Sequence, residues 1–515
     1  MALVLLVAPL VANAPLFDPD EGLHAAIAQE MVTRGDYVTP TFLGEPFLDK
    51  PILFFWAEAA SIRLFGSREL AVRLPPLLFG VFGMIGVAAL GAAMFDETTG
   101  LLAGIVYGTM LLPLGVSEVA VHDVAVVPFM CAACVGVVRR RNWLLVGVAL
   151  GLSILTKGLV AIAFTGLLAI CVAVADRKAI ARLTVILAAA GVVAVLVALP
   201  WYLAMERAHP GYLHYYFVER HLQGYLTATQ RHAGRGWWYY IPIAIGGTLP
   251  WTGYLARALR GARAQRMRTI VWAWFGLGFV FLSAGESKLV TYALPLFPAL
   301  ALLAADAILG AGFLVPAGYA VFSATLTLLP LGALAAVVWK FGPVGATVWG
   351  IVAFVTLTSA AIAFVAWHAA RGGGTLERRA AQVLRLPAMA LLGLMIVAPR
   401  AAAWMTARDL AAWINATGTL PSHVSVLDER IGSLVFYLSP ALRAQASPER
   451  IDTASIAEAV SRIRVDAPDA VIAVRDRQLA RFNRLFAAPP PADAHAGTFA
   501  VFRAGRLQRA LAARP

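Results

Sequence analysis

The chain has 515 residues, of which 60% are hydrophobic and only 14% charged, with a mean hydropathy of +0.75. Soluble globular proteins carry nearer a quarter charged residues, so this composition excludes a purely soluble fold and indicates a polytopic helical membrane protein with at most one soluble appendage. The net charge of +13 would suit a nucleic-acid binder, but no basic tract with interleaved aromatics lies in a soluble stretch, so the excess is read as positive-inside loops plus cations facing an anionic substrate.

The N-terminal run "MALVLLVAPLVANAPLF" is short for a span and lacks a basic start, so a retained first helix is expected rather than a cleaved signal peptide. The segment "FDPDEGLHAAIAQEM" follows, with Asp18, Asp20, Glu21 and Glu30. Carboxylates are costly in lipid, so they belong at or outside the interface, and Asp18 reads as a solvated loop residue. "LHAAIAQEMVTRG" ends in Gly35, and "KPILFFWAEAASIRLFG" opens with Pro51 and ends at Gly66. Both read as helices too polar to span, lying along the outer membrane surface.

A span needs about 20 mostly apolar residues. Candidates lie near 1–16, 70–94, 99–116, 120–138, 142–156, 158–175, 183–204, 237–256, 269–284, 289–309, 312–338, 344–367 and 386–405, about thirteen in all. Basic clusters at 139–141, 176–182, 257–268 and 371–379 fall on alternate connections and mark the cytoplasmic side. The segments 17–69, 205–236 and "GESKL" then face outward, as does the C-terminus. Cys131, Cys134 and Cys171 all sit in apolar runs, so the CxxC reads as small-residue packing and no disulfide framework is implied.

Residues 1–405 form the expected transmembrane domain and 406–515 a small extracytoplasmic α/β domain. In the latter, "VSVLDE", "AVIAVRD" and "GTFAVFRAG" read as strands, "TASIAEAVSRIRV" and "RDRQLARFNRLF" as helices, and "PPPAD" as a linker. The sequon at Asn415 is too common a pattern to use.

The polar features gather on the outward side. They are Asp20 and Glu21; Asp49 and Lys50 in "FLDKP"; Glu118, His122 and Asp123 in "SEVAVHDVAVVPF"; Arg220 and His221 in "HYYFVERHLQGY"; and Lys288 and Tyr292 in "GESKLVTY". Outward acids combined with Lys, Arg, His and Tyr suit an anionic, hydroxyl-rich ligand. Asp123 stands directly before an apolar span, which marks it for function. Lys50, Lys157 and Lys288 also admit simple snorkelling to headgroups, and the aromatics from Trp237 to Tyr240 read as an interfacial belt. Asp49 and His221 are weak candidates for a divalent metal, with no compact ligand spacing to compel one.

The stretch from "DPDEGLHAAIAQEM" through "FLDKPILFFWAEAASIRLFGSRELAVRLP" resembles the first outer loop of the polyprenyl-phosphate-dependent membrane glycosyltransferases. That family includes the aminoarabinose transferases of lipid A modification and the protein mannosyltransferases. "HDVAVVPF", "GLSILTKGLVAI", "LPWYLAMERAHPGYLHYYFVERHLQGYLT" and "SKLVTYALPLFPALALL" match in order. The resemblance implies a C-fold glycosyltransferase, inverting, that takes a sugar from a polyprenyl phosphate carrier at the outer face of a bacterial cytoplasmic membrane. The thirteen-helix count and the surface helices agree with the aminoarabinose transferase branch. The motifs align Asp20, Glu21 and Asp123 with the catalytic acids, and Lys50 and Tyr292 with groups at the carrier phosphate. Arg220, His221 and Lys288 are available to assist there.

The chain departs from the family pattern at three places. Leu23 and His24 stand where arginine and tyrosine are common, Asp49 replaces a glutamate, and Gly224 replaces an arginine. Expected partners are a polyprenyl-phosphate sugar, a lipid or glycan acceptor and membrane lipids, with no nucleic acid and a monomeric state. A protein acceptor, a lipid flippase or transporter, and a non-catalytic scaffold are the competing readings. No internal repeat supports a transporter.

Overall fold

The computed structural model describes residues 14–227, 234–258, 265–311, 404–417, 423–445, 447–451 and 470–512, with single positions between 321 and 360. The expected spans at 1–16, 312–338, 344–367 and 386–405, and the expected helix "TASIAEAVSRIRV", fall mostly or wholly outside the described residues. Among the described residues, four helices are long and apolar enough to cross a membrane: Glu69–Met94, Arg177–Ala208, Gln265–Ala284 and Val290–Gly310. The chain is a polytopic helical membrane protein.

Helix α1 (Asp20–Arg34) has acids in its first turn and Arg34 in its last, so charge complements the helix dipole at both ends. From Glu21 to Met31 it is buried except at Leu23 and Glu30. Protein therefore covers it on several sides. A hairpin of β1 (Thr41–Phe42) and β2 (Glu45–Pro46) follows. Glu30 pins it, accepting from Thr41 Oγ1 at 2.7 Å and from the N–H groups of Leu43 and Gly44 at 2.8 and 2.9 Å. Helix α2 (Leu53–Phe65) leaves Leu64 and Phe65 exposed at its end.

The bundle continues through α3 (Glu69–Met94), α4 (Glu97–Thr109) and α5 (Leu111–Ser117), then α6 (Asp123–Arg139), α7 (Trp143–Lys157), α8 (Val160–Ala175) and α9 (Ile180–Ala208). The single span expected at 99–116 is bent by 66° between α4 and α5. Pro113 lacks the N–H that would bond back to Thr109, and Leu111 N–H donates instead to Leu249 O at 2.9 Å. A π-helical segment, His214–Gln223, precedes α10 (Tyr240–Gly247) and α11 (Thr252–Ala258). These two short helices replace the one span expected at 237–256, with Pro250 between them unable to continue the hydrogen-bond ladder. Helix α12 (Gln265–Ala284), a 3-10 turn (Val290–Leu296) and α13 (Phe297–Ala311) complete the described bundle. Within it, Arg268 on α12 donates through Nε to Asp306 on α13 at 2.7 Å, both side chains being buried.

The C-terminal elements are α14 (Arg408–Ala416), β3 (His423–Leu427), α15 (Gly432–Tyr437), α16 (Pro440–Gln445), β4 (Ser447–Ile451), β5 (Val471–Arg475), α17 (Asp476–Asn483), β6 (Ala494–Ala496), β7 (Phe499–Arg503) and α18 (Ala504–Ala512). The sheet order is β4-β3-β5-β7-β6, with β3 parallel to β4 and β5, and β7 antiparallel to β5 and β6. Strand β5 is buried on both faces. Val471 and Ala473 pack with Leu410 and Ile414, while Ile472 and Val474 pack with Phe482 and Phe502. Strands β4 and β6, absent from the sequence reading, are the two edges, where alternation is weak and proline is tolerated.

Candidate active site

The site is assembled at one end of the bundle, opposite Arg139–Arg141. Helix α6 starts there with Asp123, and the antiparallel α7 ends there with Lys157. The two side chains form an ion pair. The ring of Tyr292, from the turn before α13, lies 4.3 Å beneath the Lys157 ammonium. Lys157 is thus a part of the site that the sequence left as a snorkelling lysine. The available signal was its position at a helix end with no loop charge nearby.

Lys50 follows the β-hairpin and is half-buried. Its ammonium feels Lys157, Asp123, Arg220 and Asp49. Burial, then the charge of Lys157, push its amine down to about 8. Arg220, on the π-helical segment, pairs with Asp49 at 3.0 Å, and Tyr215 donates its hydroxyl to the same carboxylate at 2.6 Å. Asp49, considered as a metal ligand, is therefore engaged in aiming a cation and a phenol. His221 donates its Nδ1–H to Tyr216 O at 2.8 Å, and burial lowers its affinity for a proton. It presses against Gly158, whose φ of +77° would strain other residues, and where a Cβ would fall 2.2 Å from His221 Nε2. Among the described residues no group of three His, Cys, Asp or Glu is placed to hold a metal ion.

The acidic pair of the first loop divides its work. Asp20 is exposed, and its charge reaches His24 and Tyr292. Glu21 is buried, and its two oxygens accept from Arg73 Nε at 2.8 Å and Nη2 at 2.7 Å. A carboxylate so engaged fixes α1 to α3. Glu21, which the resemblance aligns with a catalytic acid, thus faces Arg73 inside the protein, while Asp20 faces out. His24 donates its Nδ1–H to Ala120 O at 2.8 Å, which ties α1 to the loop carrying His122 and Asp123. Burial lowers the affinity of His24 and His122 for a proton.

Two sequence-level assignments change here. Lys288 turns inward, its ammonium donating to Gly285 O inside its own turn, so it is a turn-forming group rather than a member of the cationic cluster. Asp18 is buried rather than solvated and meets Ser433 of the C-terminal unit. Asp20, Asp123, Lys50, Arg220, His221 and Tyr292 converge, joined by Lys157, Asp49, Tyr215 and His24. Chemically, three cations stand beside one exposed carboxylate, Asp20, and two ion-paired ones, Asp123 and Asp49, where a phosphate and a hydroxyl-bearing group can meet.

Fold and site define a multi-pass membrane protein with a cluster of cations and carboxylates at one end of its bundle. The family described as dolichyl-phosphate-mannose-protein mannosyltransferase matches residues 49–203. The undecaprenyl phosphate-alpha-4-amino-4-deoxy-L-arabinose arabinosyl transferase of Aeromonas salmonicida is 35% identical over 311 residues, 56% of each chain. That of Pectobacterium carotovorum is 34% identical over 305 residues, 56% of this chain and 54% of the relative. The matched part thus spans little more than half the length of these curated relatives. Crystal structures of ArnT from Cupriavidus metallidurans share the fold. The form bound to undecaprenyl phosphate aligns over 98% of this chain and 97% of that one, at TM-score 0.72 and 22% identity. The apo form aligns over 98% and 96%, at TM-score 0.74 and 21% identity. The chain resembles the polyprenyl-phosphate-dependent membrane glycosyltransferases.

Proposed function

We propose that this chain transfers a sugar from an undecaprenyl-type polyprenyl phosphate to an envelope acceptor such as lipid A, at the outer face of a bacterial cytoplasmic membrane. The observation that carries this reading is the meeting of Lys50, Lys157 and Arg220 with Asp20, Asp49 and Asp123 at one end of the bundle. Breaking the bond between the anomeric carbon and the carrier phosphate builds negative charge on the phosphate. Lys50 and Arg220 stabilise that charge without reorganising, because burial and Asp49 hold them in place. Tyr292, under Lys157, lines the same subsite.

Asp20 acts as the general base when the acceptor is a hydroxyl. When the acceptor is already a phosphate no base is needed, and Asp20 and Asp123 orient the sugar. Asp123, ion-paired to Lys157, serves in orientation in either case. Inversion at the anomeric carbon follows from a single in-line displacement. The basic clusters on the opposite connections support an outward position for the site and for the C-terminal unit.

The similarity at residues 49–203 to the mannosyltransferase family keeps a protein hydroxyl as a second acceptor class. The test is purified protein in nanodiscs with a panel of polyprenyl-phosphate sugars, reading free polyprenyl phosphate by mass spectrometry beside Asp20→Asn. Release from one donor, lost in the variant, supports the reading. No release from any donor, with an envelope lipid extract supplied, overturns it.

A further inference from the structure

The segment that delivers Asp20 is clamped on two sides. On the bundle side, Glu21 holds Arg73, and Arg73 also donates to Ala14 O at 2.6 Å and Pro15 O at 3.1 Å. On the other side lies the C-terminal unit. Asp18 accepts from the Ser433 hydroxyl and from the Ser433 N–H, the latter at 3.0 Å. Asp18 N–H donates to Met405 O at 2.8 Å, and Ser433 Oγ accepts from Ala407 N–H at 2.9 Å. Leu16 N–H donates to the Tyr437 hydroxyl at 2.9 Å, which in turn donates to Glu69 at 2.9 Å.

The backbones of α1 and α15 also touch. A Cβ on Gly22 would lie 2.4 Å from Ser433 N, and one on Gly432 would lie 2.3 Å from Leu23 N. Only glycines allow this approach. Asp20 sits between Asp18, fixed to α15, and Glu21, fixed to α3, yet is itself exposed. Apolar packing would leave α1 free to slide by a fraction of an ångström. A buried carboxyl with a hydroxyl partner does not, because displacement leaves both unsatisfied.

The geometry points to Ser433, on α15 of the C-terminal unit, as a positioning residue that acts through Asp18 to set where Asp20 stands in the site. The C-terminal unit is then a working part of the transferase rather than an appendage. This rests on the glycosyl-transfer reading for its catalytic consequence, but the coupling itself is measurable without activity.

The experiment compares full-length wild type, Ser433→Ala, Ser433→Thr and Gly432→Ala in nanodiscs. For Ser433→Ala, kcat for carrier release should fall ~10–100-fold with the KM for donor unchanged, and Ser433→Thr should restore most of it. Gly432→Ala separates the helices by sterics and should fall likewise, which covers the case in which Ser433→Ala fails to fold. Amide exchange of residues 18–24 should accelerate in Ser433→Ala, while α12 and α13 stay as in wild type. Wild-type kcat in both disruptive variants, no rescue by threonine, or unchanged exchange at 18–24 would overturn the inference. A wild type inactive on every donor counts against glycosyl transfer alone, and the exchange comparison still decides the coupling.

Discussion

Two ion pairs in this bundle use the same chemistry to different ends. Arg268 and Asp306 face each other between α12 and α13, both buried in apolar surroundings, one cation for one anion. Asp123 and Lys157 pair at the end of α6 and α7, partly open, among further cations in Lys50 and Arg220. The first pair fastens two helices and is electrically closed. The second is partly exposed and adjoins further ionised groups of both signs, Lys50, Arg220, Asp49 and Asp20, so that a ligand's phosphate can reach its cations. The difference lies in access and in the neighbouring charges, not in residue type.

The largest effect that would break this comparison lies at the open site. Asp20→Asn should lower carrier release about 10²–10⁴-fold for a hydroxyl acceptor, with an unchanged melting profile. A variant of wild-type activity removes Asp20 from the chemistry. Lys157→Met should cost about 10²–10³-fold, with Lys157→Arg intermediate, read in the same mass-spectrometric assay. At the closed pair, Arg268→Met should cost about 3–5 kcal/mol of stability, measured by detergent unfolding. The double variant Arg268→Met/Asp306→Leu should recover most of it with activity intact. Equal loss of activity in the double variant would erase the distinction between the two regions.

Smaller effects concern protons. The Lys50 amine, brought down from 10.5 to about 8, binds an anionic donor only when protonated. kcat/KM for donor should therefore decline as pH rises through about 8, and Lys50→Arg should move the decline upward. Burial raises the Asp18 carboxyl from 3.8 to about 7, with Arg475 and Glu429 as its charged neighbours. A folded-state value above the unfolded one means the contribution is present below about 4 and is lost as pH rises toward 7. Unfolding measured across that interval should show this slope in wild type and a flatter one in Asp18→Asn.

Most helices were legible because a span must be apolar over its whole length, and composition alone reports that. The helices at 143–157 and 180–208 appear close to where hydropathy puts them. Where prolines interrupt an apolar run, as at Pro113 and Pro250, hydropathy reads one span and the backbone makes two. Of the candidate cluster, Asp20, Lys50, Asp123 and Tyr292 were singled out through motif resemblance, and the fold brings them together. Lys157 was ambiguous, because a lysine at a helix end looks alike whether it meets lipid headgroups or Asp123. Asp18 was misread, since its partner lies 415 positions away.

By itself the sequence determined that this is a multi-pass membrane protein, because lipid punishes charge residue by residue. Only tertiary structure decided which charges pair. Glu21 and Asp20 are adjacent in sequence, yet one is spent on Arg73 and the other stays open, since a helix turns neighbouring side chains to different faces and the packing around each face sets its partner.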